Sequence, residues 1–584
     1  MTITEIKAFY QDQIAVHTQQ LQQLKSKHRI WTMLRVAIFA CIPLLFFVVK
    51  FSSLVVIADL VLLALFFKVV SIWADSKRSI EIEQNHLDLC AKELKALEGD
   101  WSGFAPHFEI GKGNHPFTYD MDVFSKNGLY TYINRTVTRQ GAHKLASVLA
   151  EGVEQTDKYN RNISFLATKM EWVHQFIAQA HSQEEDSNDQ KLSQLLQATE
   201  GKNQWSKIMQ FLVPALALIA LVANVFDVLS TGWFLISLAI LFALSRAKAS
   251  AVQGWMQVLD KERFRIVALK GQLEALKVLE NESADTVQLY DEQLWSVAKE
   301  LSVIQKQSAY RMNAVVNFIL NAFLGWDARL QNRIARFCET SYNELDRLEN
   351  HLAEVEVWIS GAKMAFNNPD HTYAQWSEGD FDLQALCHPF VSLENRISND
   401  FNLTQSECAI ILTGPNMAGK STYLRSVGTA ILLANAGFPL FAKSAKLPRV
   451  HLYTSMRTSD DLLANSSYFH AELHRLRYIV DAIESGKKVF FILDEILKGT
   501  NSKDKEEGSA LFLLKLKQLG AQGIIATHDL SLTNLSNVHS SFKNFYFDST
   551  ITGENLTFDY KIRAGVCQNM NASFLLRQLR LVND

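Results

Sequence analysis

The chain is 584 residues long, enough for three or four domain-sized units that each bury a core. Its 58 Lys+Arg nearly balance its 61 Asp+Glu, for a net charge of −3, so no global basic field announces nucleic acid, although a local patch would still serve. The six cysteines (Cys41, Cys90, Cys338, Cys387, Cys408, Cys567) are scattered without a C-x-x-C pair, which argues against a disulfide frame or a zinc site and for reduced thiols in a cytoplasmic setting.

Residues 1–30 read as a polar helical segment with no early apolar region or small-residue cleavage site, so no signal peptide is expected. Between Trp31 and Trp73 two apolar runs, about Val36–Val49 and Phe51–Val70, join near Lys50 and approach the lower length limit for crossing a bilayer. Arg35 and Lys68 lie near run ends, where they can snorkel; Asp59 is the strained position, since a charge at mid-bilayer costs about 2.5–3.5 kcal/mol on insertion scales. A second pair spans Ile208–Phe226 and Trp233–Leu244, and the first of these runs holds no charge over 19 residues, which an amphipathic soluble helix rarely allows.

Lys25, Lys27, Arg29, Lys77 and Arg78 flank the first pair, and Lys202, Lys207, Arg246 and Lys248 flank the second, whose tight turn offers only Asp227. This positive-inside pattern predicts four membrane helices in two hairpins of an inner or plasma membrane, with both termini and the C-terminal domain in the cytoplasm. The alternative is a pair of buried helical hairpins in a large soluble core.

Trp255–Leu279, Val287–Ser308 and Asn332–Ile359 carry apolar residues at three- and four-residue spacing and predict long amphipathic helices. Phe318, Phe323, Trp326, Phe337 and Trp358 read as core packing rather than base stacking, and Glu184–Asp189 as the most loop-like polar stretch.

The chemistry lies in the C-terminal part. Gly414-Pro415-Asn416-Met417-Ala418-Gly419-Lys420-Ser421 fits the phosphate-loop pattern G-x-x-x-x-G-K-[ST], between a strand-like Cys408–Leu412 and a helix-like Thr422–Leu433. Backbone N–H groups of such a loop close around the phosphates of ATP, Lys420 reaches the β and γ phosphates, and Ser421 offers a hydroxyl to Mg2+. The apolar run ending in Asp494-Glu495 predicts a strand that delivers two carboxylates, Asp494 for Mg2+ and Glu495 for the attacking water. A third short strand ends at Thr527-His528-Asp529, which brings His528 toward the γ-phosphate.

Thr413–Arg425, with Thr422-Tyr423 after the Lys-Ser, resembles the nucleotide loop of the MutS mismatch-repair ATPases. Asp494-Glu495-Ile496, Lys498-Gly499-Thr500 and Ala526-Thr527-His528 are similar to further segments of that family, as are Cys387-His388-Pro389 and Asn399–Leu403 at the entry to its ATPase domain, and Leu129–Gly141 at the start of its helical core. Asp460-Asp461-Leu462 with Ser467–Glu472 resembles the loop that crosses a dimer to the partner's nucleotide, which makes Ser467 the candidate trans contact. The resemblance covers about residues 115–155 and 380–580 and implies a homodimeric ATPase converting ATP and water to ADP and phosphate, with DNA as a possible ligand. The alternative is a membrane mechanochemical or scaffold ATPase acting on a non-DNA partner.

Two departures stand out. Phe108-Glu109 lacks the Phe-x-Glu spacing with which the family wedges a mismatch, and no room precedes Trp101 for that domain, so mismatch specificity is not expected. Lys503–Gly508 is about two residues longer than the family's usual Asp-Gly segment. The expected architecture is an α/β P-loop, ABC-type ATPase domain (379–584) after an all-α MutS-like core (75–207 and 247–378), with a cytoplasmic helix (1–30) and membrane hairpins at 31–74 and 208–246.

Overall fold

The computed structural model describes residues 1–48, 53–105, 115–180, 192–196, 204–247, 250–280, 289–392, 395–457, 468–498, 501–552 and 555–568. The chain opens with two long antiparallel helices, α1 (Ile3–Val48) and α2 (Ser53–Leu97), each about 68 Å long at 1.5 Å per residue. The boundaries expected at residues 30 and 74 therefore fall inside continuous helices. Cross-pairs fix the register: His17 Nδ1 lies 2.6 Å from Glu83 Oε2, Trp73 Nε1 donates to Thr32 Oγ1 at 3.0 Å, and the Arg35 guanidinium sits 4.1 Å above the Trp73 ring.

The open end of this hairpin is tied to the core by a buried ionic cluster. Glu93 of α2 accepts Arg135 Nε at 2.7 Å, Arg135 Nη2 at 3.0 Å and Asn367 Nδ2 at 2.9 Å, and Lys363 Nζ stands 3.2 Å away. Lys363 in turn donates to Tyr10 Oη of α1 at 2.9 Å and lies 2.8 Å from His174 Nε2. Burial alone would raise the Glu93 carboxyl, but the two cations hold it down to about 2.

The core begins with α3 (Leu129–Ile133), α4 (Arg139–Glu151), α5 (Thr156–Ala167), α6 (Met170–Ala180) and α7 (Leu192–Leu196). An apolar pair follows, α8 (Gln204–Val225) and α9 (Thr231–Arg246), turned at Asp227, whose φ of 56° is tolerable for a short polar side chain. The remaining helices are α10 (Ser250–Lys261), α11 (Arg263–Glu280), α12 (Glu292–Ala309), α13 (Ala314–Leu324), α14 (Trp326–Thr340) and α15 (Glu344–Asn367). Two of the long helices read from periodicity are thus divided, one at Glu262 and one between Thr340 and Glu344. At the second break Ser341 and Asn343 favour turns over helix interior.

The segment resembling the start of the family's core is a docking turn for α15. Buried Glu356 accepts the N–H groups of Val137 and Thr138, both at 3.0 Å, and the Thr138 hydroxyl. A Cβ at Gly141 would stand 2.0 Å from Glu356 Oε2, so a side chain there would push the carboxylate off these donors.

Beyond α15 lie a small sheet and a large one. The small sheet has the order β1 (Gln375–Ser377), β5 (Ser444–Pro448), β2 (Phe381–Leu386), β3 (Asn399–Leu403). The large sheet is built on β4 (Ala409–Thr413), β6 (His451–Ser455), β7 (Val489–Asp494), β8 (Gln522–Ala526) and β9 (Phe542–Phe547), all parallel in the order β9-β4-β8-β7-β6. Its edge is closed by antiparallel β12 (Ile562–Ala564), after the ribbon β10 (Thr550–Thr552) and β11 (Asn555–Thr557). Helices α16 (Lys420–Ala436), α17 (Tyr468–Glu484), α18 (Ser502–Gln518) and α19 (Leu535–Val538) connect and cover the strands.

Among the described residues one helix, α8, is long and apolar enough to cross a membrane, and α9 and α13 are shorter apolar helices. Four helices of that kind were expected; α1 and α2 instead mix polar and apolar turns along one rod. Residues 49–52 and the side chain of Asp59 lie outside the described residues. Of the apolar window of α8, 17% is buried within the chain. Phe318 and Phe323 do pack, but on the apolar pair: the Phe318 ring lies 5.3 Å from Phe242 of α9 and Phe323 sits against the Met209–Val213 cluster.

Candidate nucleotide-binding site

The carboxyl ends of three adjacent strands converge, because the sheet register sets Leu412 beside Ala526 and Ala526 beside Asp494. The loop 414–419 leaves β4 and enters α16, with Gly414 at φ 142°, Met417 at 67° and Gly419 at 103°. Gly414 has no room for a side chain, since a Cβ would lie 2.7 Å from Phe547 O. Ala418 turns inward into the core, whereas Met417 projects into solvent.

Lys420 Nζ donates to Gly414 O at 2.7 Å and Pro415 O at 2.9 Å, and lies 3.4 Å from His528 Nε2. Burial lowers the Lys420 ammonium below its usual value. Ser421 Oγ donates to Asp494 Oδ2 at 3.0 Å, which places two hard oxygen donors side by side. His528 Nε2 stands 2.9 Å from Glu495 Oε1 and 2.7 Å from Asn416 Oδ1. The His528 hydrogen bond, helped by Lys498, holds the Glu495 carboxyl down to about 2, while burial raises Asp494 above its ordinary range.

A cleft of about 840 Å3 joins these groups; Pro415, Asn416, Met417, Gly419, Lys420, Ser421, Thr422, Asp494, Glu495 and His528 all line it. Its far wall holds Arg396, Ile397, Phe547 and Tyr560, which sequence reasoning missed: they come from three separate segments and carry no local pattern. Glu495 and Leu497 adopt left-handed φ of 52° and 59°. That strained turn is held by buried Glu472, which accepts the Leu497 N–H at 2.6 Å and the Lys498 N–H at 3.2 Å. Glu472 belongs to the stretch resembling a cross-dimer loop, yet its side chain serves its own chain. Asp460, Asp461, Leu462, Ser467 and Thr500 lie outside the described residues, as do Phe108 and Glu109. The longer segment Lys503–Gly508 forms the first turns of α18, capped by Asn501, whose side chain accepts the Asp504 N–H at 2.9 Å.

A second contact was also invisible in the sequence. Buried Asp120 accepts the N–H groups of Met456 and Arg457, both at 3.0 Å, and Arg475 at 2.8 Å. Asp122 pairs with Arg457 through two 2.6 Å bonds and lies 3.4 Å from Arg425 of α16. The end of β6 and the nucleotide-loop helix are thereby gripped by one turn of the core.

A parallel sheet with a glycine loop leading from one strand into a helix, and acidic residues ending a strand two places away, defines a P-loop nucleotide-binding domain. Comparison with known families agrees: MutS domain V matches residues 410–577. The chain is 35% identical over 235 residues to the DNA mismatch repair protein MutS of Aquifex pyrophilus, covering 39% of this chain and 27% of that protein. It is 32% identical over 248 residues to the DNA mismatch repair protein MutS of Acetivibrio thermocellus, covering 41% and 28%. The chain thus spans little more than a quarter of the length of the curated relatives it matches, and the similarity to the MutS family lies in its C-terminal part.

Proposed function

We propose that the protein is a membrane-anchored, MutS-like ATPase that converts ATP and water to ADP and phosphate and uses the cycle to open and close a homodimer. The observation that carries this reading is the meeting of Lys420, Ser421, Asp494, Glu495 and His528 in one cleft. The amides of loop 414–422 and the Lys420 ammonium bind the phosphates, displacing the carbonyls that Lys420 now contacts. Ser421 and Asp494 fit Mg2+, which when bound neutralises charge developing on the phosphates. Glu495, ionised and hydrogen-bonded, orients the attacking water; His528 fixes that carboxylate and faces the γ-phosphate. Ser467 completes the partner's site in a dimer.

Anchoring rests on two helical hairpins, 31–74 and 208–246, with the ATPase domain and both termini cytoplasmic. Exposed apolar side chains on α8 and α9 support the second hairpin, and those on α1, among them Met33, Val36 and Phe39, the first. ATP-dependent DNA binding, without mismatch reading, is the leading partner assignment. The broad apolar surface and the nearly balanced charge favour the rival, a mechanochemical or scaffold role on a non-DNA partner. Binding of detergent-purified protein to homoduplex, mismatched and branched DNA, followed against salt, separates the two: a steep loss of affinity with salt supports phosphate contacts, and no binding at low salt supports the rival. For the ATPase itself, purified protein hydrolyses ATP and Lys420→Ala loses nucleotide affinity; hydrolysis unaffected by Lys420→Ala contradicts the assignment.

A further inference from the structure

Helix α13 is inside out. Its two buried residues are Asn321 and Ala322, while Val315 is 67% exposed, Ile319 39% and Leu324 40%. A helix on the surface of a soluble domain turns its apolar stripe inward and its amides outward. Here the polar side is consumed within the protein. Asn321 Oδ1 accepts Ser245 Oγ of α9 at 2.7 Å and the Asp327 N–H at 2.9 Å, and its Nδ2 donates to Asn317 Oδ1 at 2.7 Å. Buried Asp327 pairs with Arg311 at 2.8 Å. Both helix ends are partly capped as well: the Asn313 side chain accepts the N–H groups of Val315 and Val316, and Gly325, at φ 59°, donates to Asn321 O at 3.2 Å. Such capping reduces the number of unpaired polar groups that the helix ends would present to a medium lacking water.

The outward face of α13 continues that of α8 and α9. Phe318 meets Phe242 of α9, and Gly325 packs against Met209 O and the Val213 side chain of α8. At 22 residues α8 is about 33 Å long and matches a hydrocarbon core of about 30 Å; α13, with 11 residues, reaches about 16 Å, half that depth. It is too short to cross, and α12 and α14 return its ends to the core. Charges collect at the base, where Arg246 lies 3.7 Å from Asp327 and Lys207 is exposed at the start of α8, the arrangement expected beside anionic headgroups. The apolar exposure runs along the α8–α9 pair, from Phe211 and Ile219 to Trp233 and Ile236 at its tip, which suits acyl chains better than a second copy of the chain.

We propose that α13 is a third membrane element, a re-entrant helix that enters the bilayer beside the base of the second hairpin and returns on the same side, with Val315, Ile319 and Leu324 against lipid acyl chains. The assignment rests on the membrane reading of α8 and α9 given above. It also makes α13 the link between the bilayer and the helices α12 and α14 of the core.

The test uses the unmodified full chain in vesicles of phosphatidylcholine carrying a photoactivatable diazirine on the acyl chain, with adducts mapped by mass spectrometry after proteolysis. Adducts are expected in 314–324 at a density comparable with 231–246, and absent from 292–309 and 344–367. Adducts in α8 and α9 without any in 314–324 would overturn the re-entrant helix, leave the hairpin standing and put protein on that face. No adducts in α8 or α9 would remove the membrane reading itself. As a second measurement, Val315→Asp with Ile319→Asp removes the 314–324 adducts while retaining those of α8; unchanged labelling of 314–324 counts against the proposal.

Discussion

His528 Nε2 stands 2.9 Å from Glu495 Oε1, and through this contact the loop after β8 holds down the carboxyl of the residue that follows β7. With Glu495 held to about 2, the group is ionised at neutral pH. His528→Ala removes the main cause of that depression, so the carboxyl moves back toward its ordinary 4.5. The acid limb of kcat/KM that Glu495 controls is expected to shift upward in pH; a pH–rate profile with an unmoved limb would count against the pairing.

Glu472 holds the turn after Glu495 from below. Glu472→Ala leaves the buried Leu497 N–H unpaired, at about 1–3 kcal/mol, removes the partner of the Lys498 N–H and frees a backbone strained at Glu495 and Leu497. The variant is expected to lower kcat much more than it weakens ATP affinity. Equal losses in both would mean that Glu472 serves the fold alone.

The Glu93 cluster should govern attachment of the N-terminal hairpin. Glu93→Gln leaves Arg135 and Lys363 buried without their anion, a loss of about 3–5 kcal/mol in measured unfolding free energy. The folded Glu93 lies below its unfolded 4.5, so its stabilisation is complete above that value and fades as pH falls from 4.5 toward 2. The Glu93→Gln protein should show a shallower acid dependence in that window.

Gly232 lies at the start of α9 with open space around its Cα, so cysteine fits there without strain. Gly232→Cys should react with an impermeant thiol reagent added outside intact cells, and Ser444→Cys, in β5 of the ATPase domain, should not. Reaction at Ser444 would reverse or abolish the assigned topology.

The site was the most legible part of the sequence. Strand β7, read from a run ending in Asp494-Glu495, and the loop before Lys420 fell where expected, because a buried parallel strand is an unbroken apolar run and its polar ending marks the ligand side of the sheet. What escaped notice depends on partners far apart in sequence. Asp120 and Asp122 look like ordinary turn acids until Arg457, Arg475 and Arg425 close on them, and Glu356 becomes a structural anchor only beside Gly141. Helix α13 went unread for a different reason: a short apolar segment has the same composition whether it faces core or lipid.

In the proposed reaction Glu495 positions the water attacking ATP bound by Lys420 and Ser421. Glu495→Gln keeps the shape of the site and removes the charge, so the most direct measurement pairs nucleotide affinity with single-turnover hydrolysis in this variant. ATP and Mg2+ binding is expected to stay close to that of the unaltered protein, with hydrolysis slowed by roughly 10^2 to 10^4. Hydrolysis at the unaltered rate would contradict this role of Glu495.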